Sequence, residues 1–188
     1  FKPGELVEYF QSIGMDFGAD ANASTSFFHT TYDLTLPRGD NQTLEDAFRV
    51  IKDYAGGALL LEEEINRERG IILAEKRERD SVSYRTFKAE LAFELPESLL
   101  NKRLPIGETA VLKTANKALL KDFYDRWYRP DNMALVIVGD MDMKQTENLI
   151  KRTFSSLQPR TKSNGQPGDI FWQSPKGISA FYHYEPEA

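Results

Sequence analysis

The sequence predicts an α+β fold: a largely antiparallel sheet with helices packed on it. Three observations carry that prediction. Residues 31–36 alternate cleanly, with Tyr32, Leu34 and Leu36 on one face and Thr31, Asp33 and Thr35 on the other, as in a half-buried strand. Several segments repeat apolar residues at three- and four-residue spacing, the signature of an amphipathic helix. Residues 133–140, "MALVIVGD", form a continuous apolar run of strand length, which predicts a buried central strand.

The elements follow in order. Pro3 suits the first turn of a helix that continues through Leu6, Tyr9, Phe10 and Ile13 and stops at Gly14. Residues 15–37 read as two strands. The first is rich in small side chains (Gly18, Ala19, Ala21, Asn22, Ala23 and Ser24), a composition that often marks close approach of another backbone. "RGDNQ" is a turn, and residues 43–55 predict a helix with Leu44, Ala47, Phe48, Ile51 and Tyr54 or Ala55 inward, ended by Gly56-Gly57. One long helix is expected from about residue 62 to 93, acidic at its start and basic in its middle, with Pro96 closing the region. Residues 101–114 read as a loop with a short turn. A helix over about 115–127 is expected to turn Leu119, Leu120, Phe123 and Trp127 inward, with Tyr124 and Tyr128 as further core aromatics. Asp142 is placed to cap the next helix, whose core face is Leu149, Ile150, Phe154 and Leu157. "QPRTKSNGQPGD" is a surface loop, and "GISAFYHYEP" one more strand.

Bulk properties narrow the function. The 188 residues are 40% hydrophobic and 28% charged, enough for a real core. With 24 basic and 29 acidic residues the net charge is −5, which argues against a nucleic-acid partner. The basic residues Lys76, Arg77 and Arg79 are interleaved with acids and read as a solvated helix face. There is no cysteine, so disulfides, thiolate nucleophiles and cysteine-based zinc sites are excluded. No apolar run reaches membrane-spanning length. Phe1 in place of Met reads as a processed chain or a fragment, which leaves a removed targeting segment open.

Two glutamates in "ERGIILAEKRERD" invite a chemical reading. Glu68 and Glu75 are two helical turns apart, on one face to within about 20° and with Cα atoms about 10 Å apart. That is too far for both to bind one zinc ion, whose ligand bonds are about 2 Å. With a metal present, one glutamate is its ligand and the other supports it; without one, the pair is a charged helix edge. Ile65 and Ile72 share the same stripe. His29 and His183 are the only histidines, and each reads as a surface or strand histidine. Nucleophile elbows and glycine-rich phosphate loops are absent.

Taken together, "NASTSFFHTTYDLTLP", "INRERGIILAEKRERD", "LPIG" and "DFYDRWYRPDNMALVIVGDMD" resemble the pitrilysin/insulinase family of zinc metallopeptidases, the inverzincins with an H-x-x-E-H motif. The resemblance runs from about residue 1 to 157, with a weaker tail to 188. It implies that residues 1–188 are part of a metallopeptidase half-domain. Residues 1–100 would hold the zinc glutamate and edge strand, and 101–188 the start of the following helix–strand region. It makes Glu75 a Zn2+ ligand and Glu68 its acidic support, and it makes Asn22, Ala23, Ser24 and Thr25 an edge strand that pairs with an extended peptide substrate. H-x-x-E-H itself is absent, so the two zinc histidines and the water-activating glutamate are expected outside this chain. The chain alone is then expected neither to hold zinc tightly nor to cleave peptides. The intact parent would be a zinc endopeptidase acting on unfolded or short polypeptides, with a second homologous half on the same or another chain. The alternative is a non-catalytic structural subunit or inactive half. An exported or periplasmic setting is favoured, though no residue here names the compartment.

Overall fold

The computed structural model describes residues 4–16, 18–162 and 177–186. The fold is α+β and helix-rich. Among the described residues it runs α1 (Glu5–Ser12), β1 (Ala21–Thr25), β2 (Thr30–Leu34), α2 (Asn41–Gly56), α3 (Glu62–Glu78), α4 (Val82–Glu94), α5 (Thr109–Thr114), α6 (Lys117–Trp127) and α7 (Met143–Phe154), with 3-10 turns at Leu100–Lys102 and Pro130–Asn132. The sheet among these residues is a two-stranded antiparallel hairpin, β1 against β2. Ala23 lies opposite Tyr32 and Thr25 opposite Thr30. The chain divides into two compact units. Unit 1 comprises residues 1–25, 30–59 and 121–164; unit 2 comprises 26–29, 60–120 and 165–188.

Unit 1 holds the apolar core. Phe10, Met15, Ala21 and Val50 are buried together, with Leu6, Tyr9, Leu34 and Tyr54 packed around them. Leu44, Phe48 and Leu149 form a second cluster, with Leu36, Ile137, Ile150 and Phe154 against it. The inward face foreseen for α2 is present, extended by Val50, and the Leu149–Ile150–Phe154 face of α7 meets it. Asp40 starts α2 by accepting the Thr43 N–H at 3.0 Å, and Asp142 starts α7 by accepting the Gln145 N–H at 2.8 Å. Each carboxylate satisfies one of the donors that a helix start leaves unpaired.

Unit 2 is built differently. Its helices α3 and α4 bury no residue completely, and among the described residues of this unit only Ser98 is buried. Polar side chains reaching backbone carbonyls hold it together. Arg69 donates to Leu112 O at 2.9 Å and to Ala115 O, and Lys76 donates to Gly107 O.

Five expectations are corrected. The single helix over 62–93 is two helices. Ser81 is extended (φ −108°, ψ 162°) and its hydroxyl accepts the Tyr84 N–H at 3.2 Å, so a serine cap restarts the helix as α4. Residues 109–114, read as loop, are helical. In α6 the buried aromatic is Tyr124, while Leu119 and Phe123 are exposed. The "MALVIVGD" segment is not a buried central strand: Val136 and Val138 are 80% and 91% exposed, and no strand pairs with it among the described residues. Ile137 alone turns into the second cluster, so one face of the run is covered and the other is not. Residues 177–186, read as a strand, are likewise unpaired among the described residues. The start of the first helix at Pro3, and the surface loop from residue 163 onward, lie outside the described residues.

Candidate functional site

The residues foreseen as a site fall into two groups that belong to different units: Glu68 and Glu75 to unit 2, Asn22–Thr25 to unit 1.

Helix α3 begins with Glu62, Glu63 and Glu64 and ends with Lys76 and Arg77, a charge order that suits the helix dipole. Glu68 and Glu75 lie on its solvent side. The Glu68 carboxylate is 3.7 Å from Arg67, and that of Glu75 is 2.5 Å from Arg79, one turn on. Their side chains keep 53% and 43% of their surface exposed. The stripe with Ile65 and Ile72 is therefore not the buried face that its apolar residues suggested. These two isoleucines are only half-buried.

A second pair, Arg69 and Lys76, repeats the same two-turn spacing about 100° around the helix. Lys76 grips the carbonyl just before α5, and Arg69 grips carbonyls at its end, so together they clamp both ends of that short helix. The carbonyls of a helix C-terminus lack intrahelical donors, and a guanidinium supplies several. Clamping fixes the rotation of α3 and leaves the Glu68/Glu75 stripe facing water. Sequence reasoning assigned Lys76 to a solvated face and passed over Arg69. The signal was present as a basic pair one residue behind the acidic pair. Arg77 and Arg79 are exposed, as that reading required.

The donor set for a metal is incomplete. Among the described residues no three His, Cys, Asp or Glu side chains are grouped to hold a metal ion. His29 pairs with Ser26 at 3.1 Å, and His183 with Glu185 at 3.1 Å. Glu75 contributes one carboxylate, fewer than the three protein ligands of a catalytic zinc. These residues by themselves do not fit a zinc ion.

The hairpin edge is better defined. Thr35 N–H donates to Asp20 O at 2.7 Å, and Ser26 N–H donates to His29 O at 2.9 Å. In an antiparallel ladder this parity pairs residues 20, 22, 24 and 26 with β2 and turns the backbone groups of 21, 23 and 25 the other way. Ala21 O is taken by Gly18 N–H at 2.9 Å, and the Ala23 N–H meets the Asn22 side-chain oxygen at 2.8 Å. The Ala23 carbonyl and both backbone groups of Thr25 face the edge that no strand occupies among the described residues. Asn22, Ala23, Ser24 and Thr25 are all exposed. The four residues foreseen as a peptide edge thus divide: 23 and 25 turn backbone outward, 22 and 24 spend theirs on β2.

Beneath this hairpin lies a group of tyrosines. Tyr32 OH is 2.5 Å from Tyr128 OH, and the Tyr32 ring is 5.0 Å from that of Tyr54. Burial, followed by the Tyr128 hydrogen bond, pushes the Tyr32 hydroxyl far above its ordinary pKa, so it stays protonated. The Tyr124 ring packs 4.6 Å from that of Tyr128, tilted by 34°, and its hydroxyl donates to Tyr54 O at 2.7 Å. Of the four, the sequence marked Tyr124 and Tyr128 as core aromatics, Tyr54 or Ala55 as inward on its helix, and Tyr32 as sharing one strand face with Leu34 and Leu36.

Comparison with known proteins gives the family of the chain. The insulinase family (peptidase family M16) matches residues 2–93, and the M16 inactive domain matches residues 114–186. The probable zinc protease PqqL of Haemophilus influenzae is 37% identical over 163 residues, covering 87% of this chain and 18% of that protein. Its Escherichia coli counterpart is 36% identical over 156 residues, covering 82% of this chain and 17% of that protein. The chain therefore spans less than a fifth of these relatives. The crystal structure of the first half of the periplasmic protease PqqL from Escherichia coli superposes with a TM-score of 0.81 at 33% identity, covering 89% of this chain and 36% of that one. No helix among the described residues is long and apolar enough to cross a membrane.

Proposed function

The chain belongs to the pitrilysin/insulinase (M16) family, and from that membership we propose that it is part of the catalytic half of a zinc endopeptidase. Glu75 supplies one zinc ligand, Glu68 supports it, and the β1 edge at Asn22–Thr25 pairs with an extended peptide. Residues 1–100 contribute both features, and 101–188 open the following helix–strand region. The remaining zinc ligands and the water-activating carboxylate come from outside these residues. The substrate is an unfolded or short polypeptide, because only an extended backbone can add to a strand edge. The parent encloses it with a second homologous half and works in an exported compartment.

The observation that carries this proposal is the division of labour on α3. Arg69 and Lys76 are committed to α5, while Glu68 and Glu75, at the same spacing, remain open to solvent. A purely structural helix gains little from two exposed carboxylates two turns apart, whereas a metal ligand must be reachable. A second function, a non-catalytic half, draws support from the inactive-domain match over residues 114–186.

Glu75→Gln in the intact parent separates the two. In a peptidase the zinc content of the purified protein and its peptide hydrolysis both collapse. Unchanged zinc content would refute Glu75 as a ligand. A parent that holds no zinc in either form would point to the non-catalytic half.

A further inference from the structure

A two-stranded hairpin is marginal by itself, so whatever fixes β1 must come from its surroundings. Within β1 only Ala21 is buried, and the strand is exposed from Asn22 onward. Its core anchor is at one end, through Ala21 and the facing Leu34. At the middle of the hairpin the support passes through β2. Tyr32 stands directly across from Ala23, on the same face of the ladder. Its hydroxyl meets Tyr128 at 2.5 Å, at the end of α6, and its ring lies 5.0 Å from Tyr54, at the end of α2. Tyr128 is itself fixed, by ring contact with Tyr124 and by the Arg160 guanidinium donating to its carbonyl at 2.7 Å.

From this arrangement we propose that the Tyr32–Tyr128 hydroxyl pair is a positioning device for the peptide-binding edge, holding Ala23 and Thr25 at the height and register an incoming strand requires. The inference rests on the proposed strand addition at β1. Tyr32 does not touch the peptide. It acts through Ala23, its neighbour across the ladder, whose small side chain lets the hairpin lie close to the tyrosine layer. The pair belongs to the folded scaffold and needs no metal, so its effect is read in peptide binding rather than turnover.

The test uses the intact parent, with a chelator present so that peptide is bound and not cut. The probe is an acetylated, amidated decapeptide of alternating Thr and Ala with Lys at both ends. Affinity is measured by titration, and protection of the Thr25 amide, the one strand N–H left facing the open edge, by hydrogen exchange. Tyr32→Phe and Tyr128→Phe each delete one partner of the same bond and keep the ring. Each is expected to weaken peptide binding about five-fold, the worth of one ordinary hydrogen bond. The double variant is expected to bind no worse than either single variant, because only one bond is lost. A lowered melting temperature with unchanged affinity would show a structural bond only and overturn the proposal. Additive losses in the double variant would also overturn it. If the peptide fails to protect the Thr25 amide in the unaltered protein, strand addition itself is wrong. If it protects that amide equally in all variants, only the positioning role is wrong.

Discussion

Replacing Arg160 with alanine should destabilise unit 1 by about 2 kcal/mol. The Arg160 Nε lies 2.9 Å from Asp125 Oδ1, with the two side chains 25% and 19% exposed. A partly screened ion pair of this kind contributes about 1 kcal/mol. One Nη donates to Tyr128 O at 2.7 Å, a charge-assisted bond worth about 1.5 kcal/mol. The guanidinium carbon sits 4.4 Å over the Tyr124 ring, adding about 0.5–1 kcal/mol. The contacts to Tyr124 O and Ala55 O, at 3.3 and 3.4 Å, are long and count for little. Ordering a long side chain costs about 1.5 kcal/mol against these gains. A net loss of about 2 kcal/mol corresponds to a fall of roughly 10 °C in the midpoint of a unit this size. Arg160→Lys keeps the charge but not the fork, so it should recover about half of the loss. The assay is urea unfolding followed by tyrosine and tryptophan fluorescence, with thermal scans as a second probe. A loss below about 0.5 kcal/mol for the alanine variant would refute the ledger. So would a lysine variant as stable as the unaltered protein, since planar, multidentate contact contributes beyond the charge alone.

Further outcomes follow from the same geometry. Arg69→Ala removes the donor from the end of α5, so the α5 amides should exchange about ten-fold faster while those of α2 and α7 are unchanged; an unaltered α5 would show that the clamp contributes nothing. Acid should destabilise both units through depressed carboxyls. Asp125 is held below its usual pKa first by the Lys121 hydrogen bond and then by Arg160, and Glu185 first by Arg85 and then by His183. A folded-state pKa below the unfolded one gives stability that is complete above about pH 4–4.5 and lost as pH falls through the lower folded value. Arg85→Ala should therefore shrink the stability difference between pH 6 and pH 2, measured by urea unfolding at each pH; an undiminished difference would remove Glu185 from the account.

Much of this protein is legible residue by residue. The helices of unit 1 follow from their apolar spacing, and the start of α7 follows from Asp142, because a cap needs only a carboxylate and the N–H three residues on; the same device at Asp40 lies in a stretch that reads only as a turn. The β1–β2 hairpin follows from alternation along residues 31–36 and from the small residues before it. The same local chemistry was present at Ser81 and was outweighed by the helical composition on either side of it, so one long helix was expected where there are two.

What the sequence could not determine is which face of an element finds a partner. The run from Met133 to Val138 is apolar on both sides, yet a side chain is buried only where another element stands against it. Here α2 and α7 cover the Ile137 side, while Val136 and Val138 stay exposed. Similarly, composition makes Glu68, Arg69, Glu75 and Lys76 four equivalent charges on one helix. The position of α5, set by contacts more than thirty residues apart in the chain, commits the basic pair and leaves the acidic pair open. Periodicity and capping act within a few residues and are written locally. Which charges are spent on structure and which remain available for chemistry depends on distant backbone carbonyls, and only the tertiary fold brings those within reach.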